Sequence, residues 1–283
     1  MSSALTILHV SDFQCGRPYS PRAAEALVRL AHDLRPDVVV VSGDLTQRAK
    51  AREFRIAVEL MGRLPPRPTI VTPGNHDVPL FRVWERALSP YRNWRRHVAT
   101  KLDTVTRLDG ATFVALNSSA PRRAIVGGRI DARQLDFARQ AFVATAPDEI
   151  RALVIHHHFV ATSDGTGGRP LPRARELVRA FESMQVDLVL GGHVHRTQVR
   201  TFRDLAPGSS DGIPLIACGT TTSRRGRGPE EGLNSLNVVR VRPRDVEVRP
   251  HVLQVGASDF EPVDPIVLPR GRVVAVASGG REP

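Results

Sequence analysis

"LTILHVSDFQCG", residues 5–16, sets the problem. Leu5, Ile7, Leu8 and Val10 make an apolar strand that runs straight into Asp12, one spacer and Gln14. A carboxylate at the end of a first strand, followed two residues later by His, is a familiar opening for a two-metal site. Here the later residue is Gln. Three readings stand open: a damaged ligand, a different ligand, or a polar loop.

The same punctuation recurs downstream. Strand-like runs read at 5–11, 37–42, 69–72, 112–117, 151–156 and 186–190, with helical patterns at 21–34, 52–64, 83–88, 131–144 and 173–184. The first helix carries Ser20 as N-cap, Pro21 at the first helical position, and Ala24, Leu27, Ala31 and Leu34 on one face. Strands alone follow, at 198–202, 214–217, 236–242 and 246–253. Short apolar strands alternating with helices predict a sheet buried on both faces. The late strands predict a second one. The expected class is α/β: a four-layer α/β/β/α sandwich of two facing mixed sheets. Residues 1–255 are assigned to this domain. Residues 256–283, rich in Pro and Gly, are expected to be a C-terminal tail, wrapped on the body or partly disordered.

The totals agree with a globular chain. Hydrophobic residues are 41% and charged residues 24% of 283. No apolar run approaches the ~20 residues of a membrane helix. Residues 1–4 lead into the first strand without a cationic region or cleavage site, so a cytoplasmic location is expected. Cys15 and Cys218 offer no disulfide framework. The net charge is +11, but 38 of the 40 basic residues are scattered Arg, with Lys only at 50 and 101. That pattern reads as genome composition. With aromatics at 5%, no stacking surface for nucleic acid is legible.

The strand ends carry the chemistry. They read "SDFQ" (Asp12, Gln14), "SGDLT" (Asp44), "PGNHD" (Asn75, His76, Asp77), "IHHHF" (His156–His158) and "GGHVH" (His193, His195). In open α/β sheets, functional loops lie at the carboxyl ends of the strands. On an extended chain, residues i and i+2 face the same way, so Asp12 with Gln14, and His193 with His195, are expected to share a face. Gly43, Gly74 and Gly192 stand where the chain must bend and the backbone must approach a ligand.

Taken in order from residue 5 to about 220, these motifs resemble the calcineurin-like metallophosphoesterases. Within them the chain is most similar to the class III cyclic-nucleotide and glycerophosphodiester phosphodiesterases, with a D-x-Q variant of the first motif. The resemblance implies two divalent ions, Mn or Fe foremost, with Zn or Mg open. Asp12, Gln14, Asp44 and His195 would hold the first, and Asp44, Asn75, His156 and His193 the second, with Asp44 bridging. It implies a small phosphodiester substrate, such as a 3',5'-cyclic nucleotide, attacked by a metal-bridging hydroxide, with His76 serving the leaving group. Neither nucleic acid nor membrane is expected as a partner, and a homodimer is left open.

D-x-Q also resembles the Mn-dependent pyrophosphatases that cut ADP-ribose and related conjugates. Nuclease, protein phosphatase and non-catalytic scaffold are the further alternatives. Asp77 is expected to fix its turn, and His157 to be packed or hydrogen-bonded. His158, Arg224 and Arg225 are the candidate substrate contacts, and "TSDGTGGR", residues 162–169, a candidate lid edge. "YRNWRRH", residues 91–97, is expected to be an amphipathic helix with a solvated Arg face.

Overall fold

A computed structural model describes residues 4–123, 126–205 and 212–271. Parts of the stretches read as N-terminus and tail, residues 1–3 and 272–283, lie outside the described residues. In chain order the elements are β1 (Leu5–Val10), α1 (Pro21–Leu34), β2 (Val38–Val41), α2 (Ala51–Gly62), β3 (Thr69–Val71), α3 (Val83–Leu88) and α4 (Arg92–His97). There follow β4 (Thr104–Leu108), β5 (Ala111–Leu116), α5 (Ala132–Val143), β6 (Ile150–Ile155), α6 (Ala174–Ser183) and β7 (Leu188–Gly191). The chain closes with β8 (Gln198–Arg200), β9 (Leu215–Ala217), β10 (Asn234–Val241), β11 (Asp245–Leu253), β12 (Glu261–Pro262) and β13 (Ile266–Pro269).

Two mixed sheets result. One has the order β12-β11-β10-β1-β2-β3, with β13 also on β11; the other runs β4-β5-β6-β7-β9-β8. The alternation of side chains decides the layers. From the first sheet, Leu8, Val10, Val39 and Val41 pack on Leu27 and Ala31 of α1 and Phe54 of α2. Their neighbours Ile7, Val38 and Val40 face the other way, against Phe113, Val154 and Leu190 of the second sheet. That sheet's outer face, with Leu116, Leu153 and Ile155, takes Phe142 of α5 and Phe181 of α6. The four layers are those expected. Each such side chain withdrawn from water stabilises the fold by about 1.5–3 kcal/mol.

Elements with little burial differ most from the sequence expectation. β4 is half-buried along its length and escaped notice because Thr and Arg interrupt its apolar residues. β12 and β13 lie within the stretch set apart as a tail, yet both pair with β11. The helix expected in residues 91–97 is present as α4: Trp94 is buried edge-on to Phe54, and Arg95 and Arg96 face outward.

Candidate metal centre

The carboxyl ends of β1, β2, β3, β6 and β7 meet where the two sheets face each other. Asp12 and Gln14 follow β1, Asp44 follows β2, His156 follows β6, and His193 and His195 follow β7. Asn75 opens a single 3-10 turn, Asn75–Asp77, after β3. Nine non-glycine residues among those described have positive φ, and five of them are Asp12, Gln14, Asp44, His193 and His195. A left-handed residue costs about 1–2 kcal/mol, and such costs concentrate at functional sites. The pairs 12/14 and 193/195 do converge, but through left-handed turns rather than the extended chain that the i, i+2 argument assumed. Gly43, at φ +103°, allows the close approach: a Cβ there would lie 2.5 Å from His156 Nδ1.

The side chains form two adjoining groups. His195 Nε2 lies 3.2 Å from Asp12 Oδ1 and 3.1 Å from the Gln14 amide nitrogen. His193 Nδ1 lies 3.0 Å from Asn75 Oδ1. His156 Nε2 lies 3.5 Å from Asp44 Oδ1. Asp44 also belongs with the first group: one ligand atom from each of Asp12, Asp44 and His195 falls within 4.8 Å of the others. Asp12, Gln14, Asp44 and His156 are fully buried.

The donor set fits cations. Asp12 Oδ1, Asp44 Oδ2 and His156 Nε2 are buried without a hydrogen-bond partner, which is costly unless something electropositive lies between them. The tautomers agree. His156 Nδ1 donates to the Ser42 carbonyl at 2.7 Å and His195 Nδ1 to the Arg225 carbonyl at 2.9 Å, so both Nε2 atoms can offer lone pairs inward. Burial opposes a charge on His156, but the Asp44 carboxylate outweighs it and raises the imidazole to about 9. Burial likewise works against ionising Asp44, yet the His156 and His76 charges hold its carboxyl well below the usual range. This core draws in a positive charge. His193 is held neutral, its pKa lowered first by burial and then by the neighbouring histidines. Carboxylate, carboxamide and imidazole donors together suit first-row divalent ions.

Above this core opens a cleft of about 480 Å³. His76 stands at its wall, its Nδ1 donating to the Gln47 carbonyl at 3.0 Å and its Nε2 3.3 Å from Arg225 Nη1. Arg48 and Arg227 line it too, and so do Thr166, Gly167 and Gly168 of the candidate lid edge. Sequence reasoning missed both arginines. Arg227 lay two residues past the favoured pair, and Arg48 carried no motif at all.

Two candidate substrate residues fall elsewhere. Arg224 is exposed and does not line the cleft. His158 stacks behind His193 at 5.4 Å and lines a separate small cavity, because the chain turns inward at Phe159 instead of along the cleft. His157 is held by Ser118 and by the Val126 carbonyl, as a packed residue should be. Asp77 accepts from Leu45, Thr46 and Gly74 backbone N–H groups and so ties the turn after β3 to the loop after β2. The thiol of Cys15 is buried and its pKa is pushed up by burial, which leaves it packed and unreactive.

Known proteins carry the same plan. The sequence profile of the calcineurin-like phosphoesterases matches residues 5–197. A cAMP/cGMP dual specificity phosphodiesterase of Mycobacterium tuberculosis is 27% identical over 230 residues, which are 80% of this chain and 69% of that protein. In structure, a purple acid phosphatase from yellow lupin superposes with a TM-score of 0.69 at 13% identity, over 95% of this chain and 54% of its own. A dimetal phosphatase from Danio rerio gives 0.64 at 13% identity, over 95% and 100%. With the profile covering more than half of its length, the chain belongs to the calcineurin-like phosphoesterase family and is a hydrolase of phosphoric esters.

Proposed function

We propose that the chain is a dinuclear metal-dependent phosphodiesterase acting on a small diester, a 3',5'-cyclic nucleotide foremost. The observation that carries this is the convergence of seven donor residues, with unpartnered buried atoms among them, beneath a cleft rimmed by guanidinium groups. Asp12, Gln14, Asp44 and His195 would hold one ion, and Asp44, Asn75, His156 and His193 the other. The ions would supply Lewis-acid activation of water and of the phosphoryl oxygens. The activity named for the mycobacterial relative supports the choice of a cyclic nucleotide.

Proton counting supports Gln14 as a ligand. In the structure its Oε1 accepts from Ser223 Oγ at 3.0 Å and its Nε2 lies 3.1 Å from His195 Nε2, but the two ends of an amide are alike in shape and the count of protons assigns them the other way round. Thr220 Oγ1 gives its single proton to the buried Asp12 carbonyl at 2.9 Å. The Thr220–Ser223 contact, 2.7 Å, must then be donated by Ser223. With its proton spent, Ser223 can only accept from Gln14, and only the amide nitrogen can donate. The carbonyl oxygen therefore belongs on the inner side, facing His195 Nε2. Two lone pairs about 3 Å apart repel each other, and a cation between them removes the conflict.

The chain's own residues do the remaining work. Arg225 binds a non-bridging phosphoryl oxygen, with Arg48 and Arg227 adding positive potential. His76 Nε2 is free of its own proton while Nδ1 donates to Gln47. Once Arg225 turns to the phosphate, Nε2 would take up a proton from solvent water and pass it to the departing alkoxide, returning the ring to its starting form.

A second reading, a pyrophosphatase of nucleoside-diphosphate conjugates, is favoured by one feature. Three guanidiniums beside a carboxamide ligand suit two phosphates as well as one. Parallel assays of cAMP and ADP-ribose with Mn²⁺ decide between them. Preferential cleavage of cAMP is expected, and cleavage of ADP-ribose alone would reverse the order.

A further inference from the structure

A second cleft is larger than the one above the metal centre. It is a cleft of about 810 Å³ between α4, α5 and the segment after β5. The two share no lining residue. A narrow gap bordered by Ser119, Ala120 and Pro121 on one side and Asn75 on the other separates them.

Five guanidiniums line it: Arg95, Arg122, Arg123, Arg129 and Arg133. Elsewhere many exposed arginines sit on carboxylates, Arg29 on Asp259 and Arg63 on Glu25 among them. In this cleft none does. Two carboxylates also line it, so five positive charges face two negative ones, and neither acid pairs with an arginine. Asp103 accepts from the Asn117 backbone N–H and from Gln134 Nε2, and Asp131 caps α5 by accepting from the Gln134 N–H. Among the described residues the Arg122 side chain bonds only the Ala87 carbonyl, and the other four guanidiniums have no hydrogen-bond or ion-pair partner. Like charges around one concavity repel one another, and low-dielectric walls focus their field onto whatever enters.

A second observation points to a ligand. Ser119, which also lines the cleft, has a buried hydroxyl with no partner. The wall behind it is already built: the Tyr91 hydroxyl donates to the Ser119 carbonyl and accepts from Asn117 Nδ2. Phe137 supplies an apolar side. The volume falls within the usual range for a small-molecule site.

We propose that this cleft is a second anion-binding site, taking a compound with a multiply charged phosphate group and separate from the metal centre. Arg122, Arg123 and Arg129 face the charge from one flank, and Arg95 and Arg133 from the helical flanks. Ser119 donates from the floor. Two sources fit this chemistry, a free polyphosphate compound and a phosphate group carried on a lipid surface.

The probe for the first source is inorganic tripolyphosphate. It is titrated calorimetrically into the Mn²⁺-loaded enzyme with orthovanadate present to fill the metal centre. One equivalent should bind, more weakly as salt is raised. The charge reversal Arg122→Glu with Arg129→Glu should weaken that binding by about tenfold or more. Hydrolysis of bis-p-nitrophenyl phosphate without the probe should stay within about twofold of the parent, since neither residue touches the metal cleft. A second reversal, Arg95→Glu with Arg133→Glu, should give the same loss from the other two flanks. Vesicles with and without an anionic phospholipid test the second source, and binding to the anionic ones that either reversal abolishes would assign the site to a lipid headgroup. The proposal is overturned if the parent binds neither probe, or if the reversals leave binding unchanged. It is also overturned if only Arg225→Ala removes binding, because the anion would then sit at the metal cleft. A failed reaction assay with intact tripolyphosphate binding would count against the proposed reaction and not against this site.

Discussion

At the scale of single residues, Gln14 is the position on which the proposed metal chemistry turns. A carboxamide oxygen is a weaker donor than an imidazole, and it has the wrong end as well as the right one. The count of protons at Ser223 and Thr220 favours the carbonyl oxygen inward, with the amide turned over from the orientation in the structure. Ser223→Ala should therefore weaken the first ion by about tenfold, as loss of a supporting bond commonly does, while leaving the second in place. Equilibrium dialysis with Mn²⁺ reads the two sites, and unchanged affinity would mean that the amide orients itself. Gln14→His should retain activity and hold the first ion longer on dialysis; equal loss from variant and parent would show that residue 14 is not a ligand. Sequence alone named Asp12, Gln14, Asp44, Asn75, His156, His193 and His195, and the structure brings all seven together. It could not name Ser223, which stands more than 200 positions from Gln14 and belongs to no motif.

At the scale of elements, the loops between strand and turn carry the strain and the strands carry the stability. Gly74 lies against the Asp44 carboxylate so closely that any Cβ would collide with it. Gly74→Ala should displace Asp44, and metal content measured after dialysis should fall with little change in helix content. Retained metal would show that the loop can yield. Within β1, His9 is buried and bonded to Ser42 Oγ at 3.0 Å across to the end of β2. Burial lowers its pKa to about 3 from 6.5. The unfolded chain therefore takes up a proton that the folded one refuses. Stability is full above about pH 6.5 and is lost as pH falls toward 3, amounting to about 2 kcal/mol at pH 5 for this one group. His9→Gln should remove that share, so its urea-unfolding free energy should fall less than the parent's between pH 7.5 and 5. Parallel curves would contradict it. Elements with two buried faces, such as β2 with four valines, were legible from apolar runs. β4 was not, because none of its residues is fully buried and Thr and Arg break its apolar run, and β12 and β13 were hidden in a stretch whose Pro and Gly content outweighed its few apolar residues.

At the scale of the whole molecule, two facing sheets bring five strand ends to one point, and Arg48, Arg225 and Arg227 line the cleft above it. The layer order followed from which strands were apolar on both faces, and the site followed from where they ended. What the sequence did not show is that Arg48 and Arg227 join Arg225 at the cleft. Arg48 comes from the loop after β2, Arg225 and Arg227 from the loop after β9, and the packed sheets bring the two loops together. Among the described residues no helix is long and apolar enough to cross a membrane. The central claim is that the buried Asp44 joins two ions whose joint action cleaves a phosphodiester. The most direct test is the rate of bis-p-nitrophenyl phosphate hydrolysis with Mn²⁺ by Asp44→Asn against the parent. The account predicts a fall on the order of a thousandfold, since the variant loses the charge shared by both ions. A variant that keeps its rate within about tenfold would contradict it.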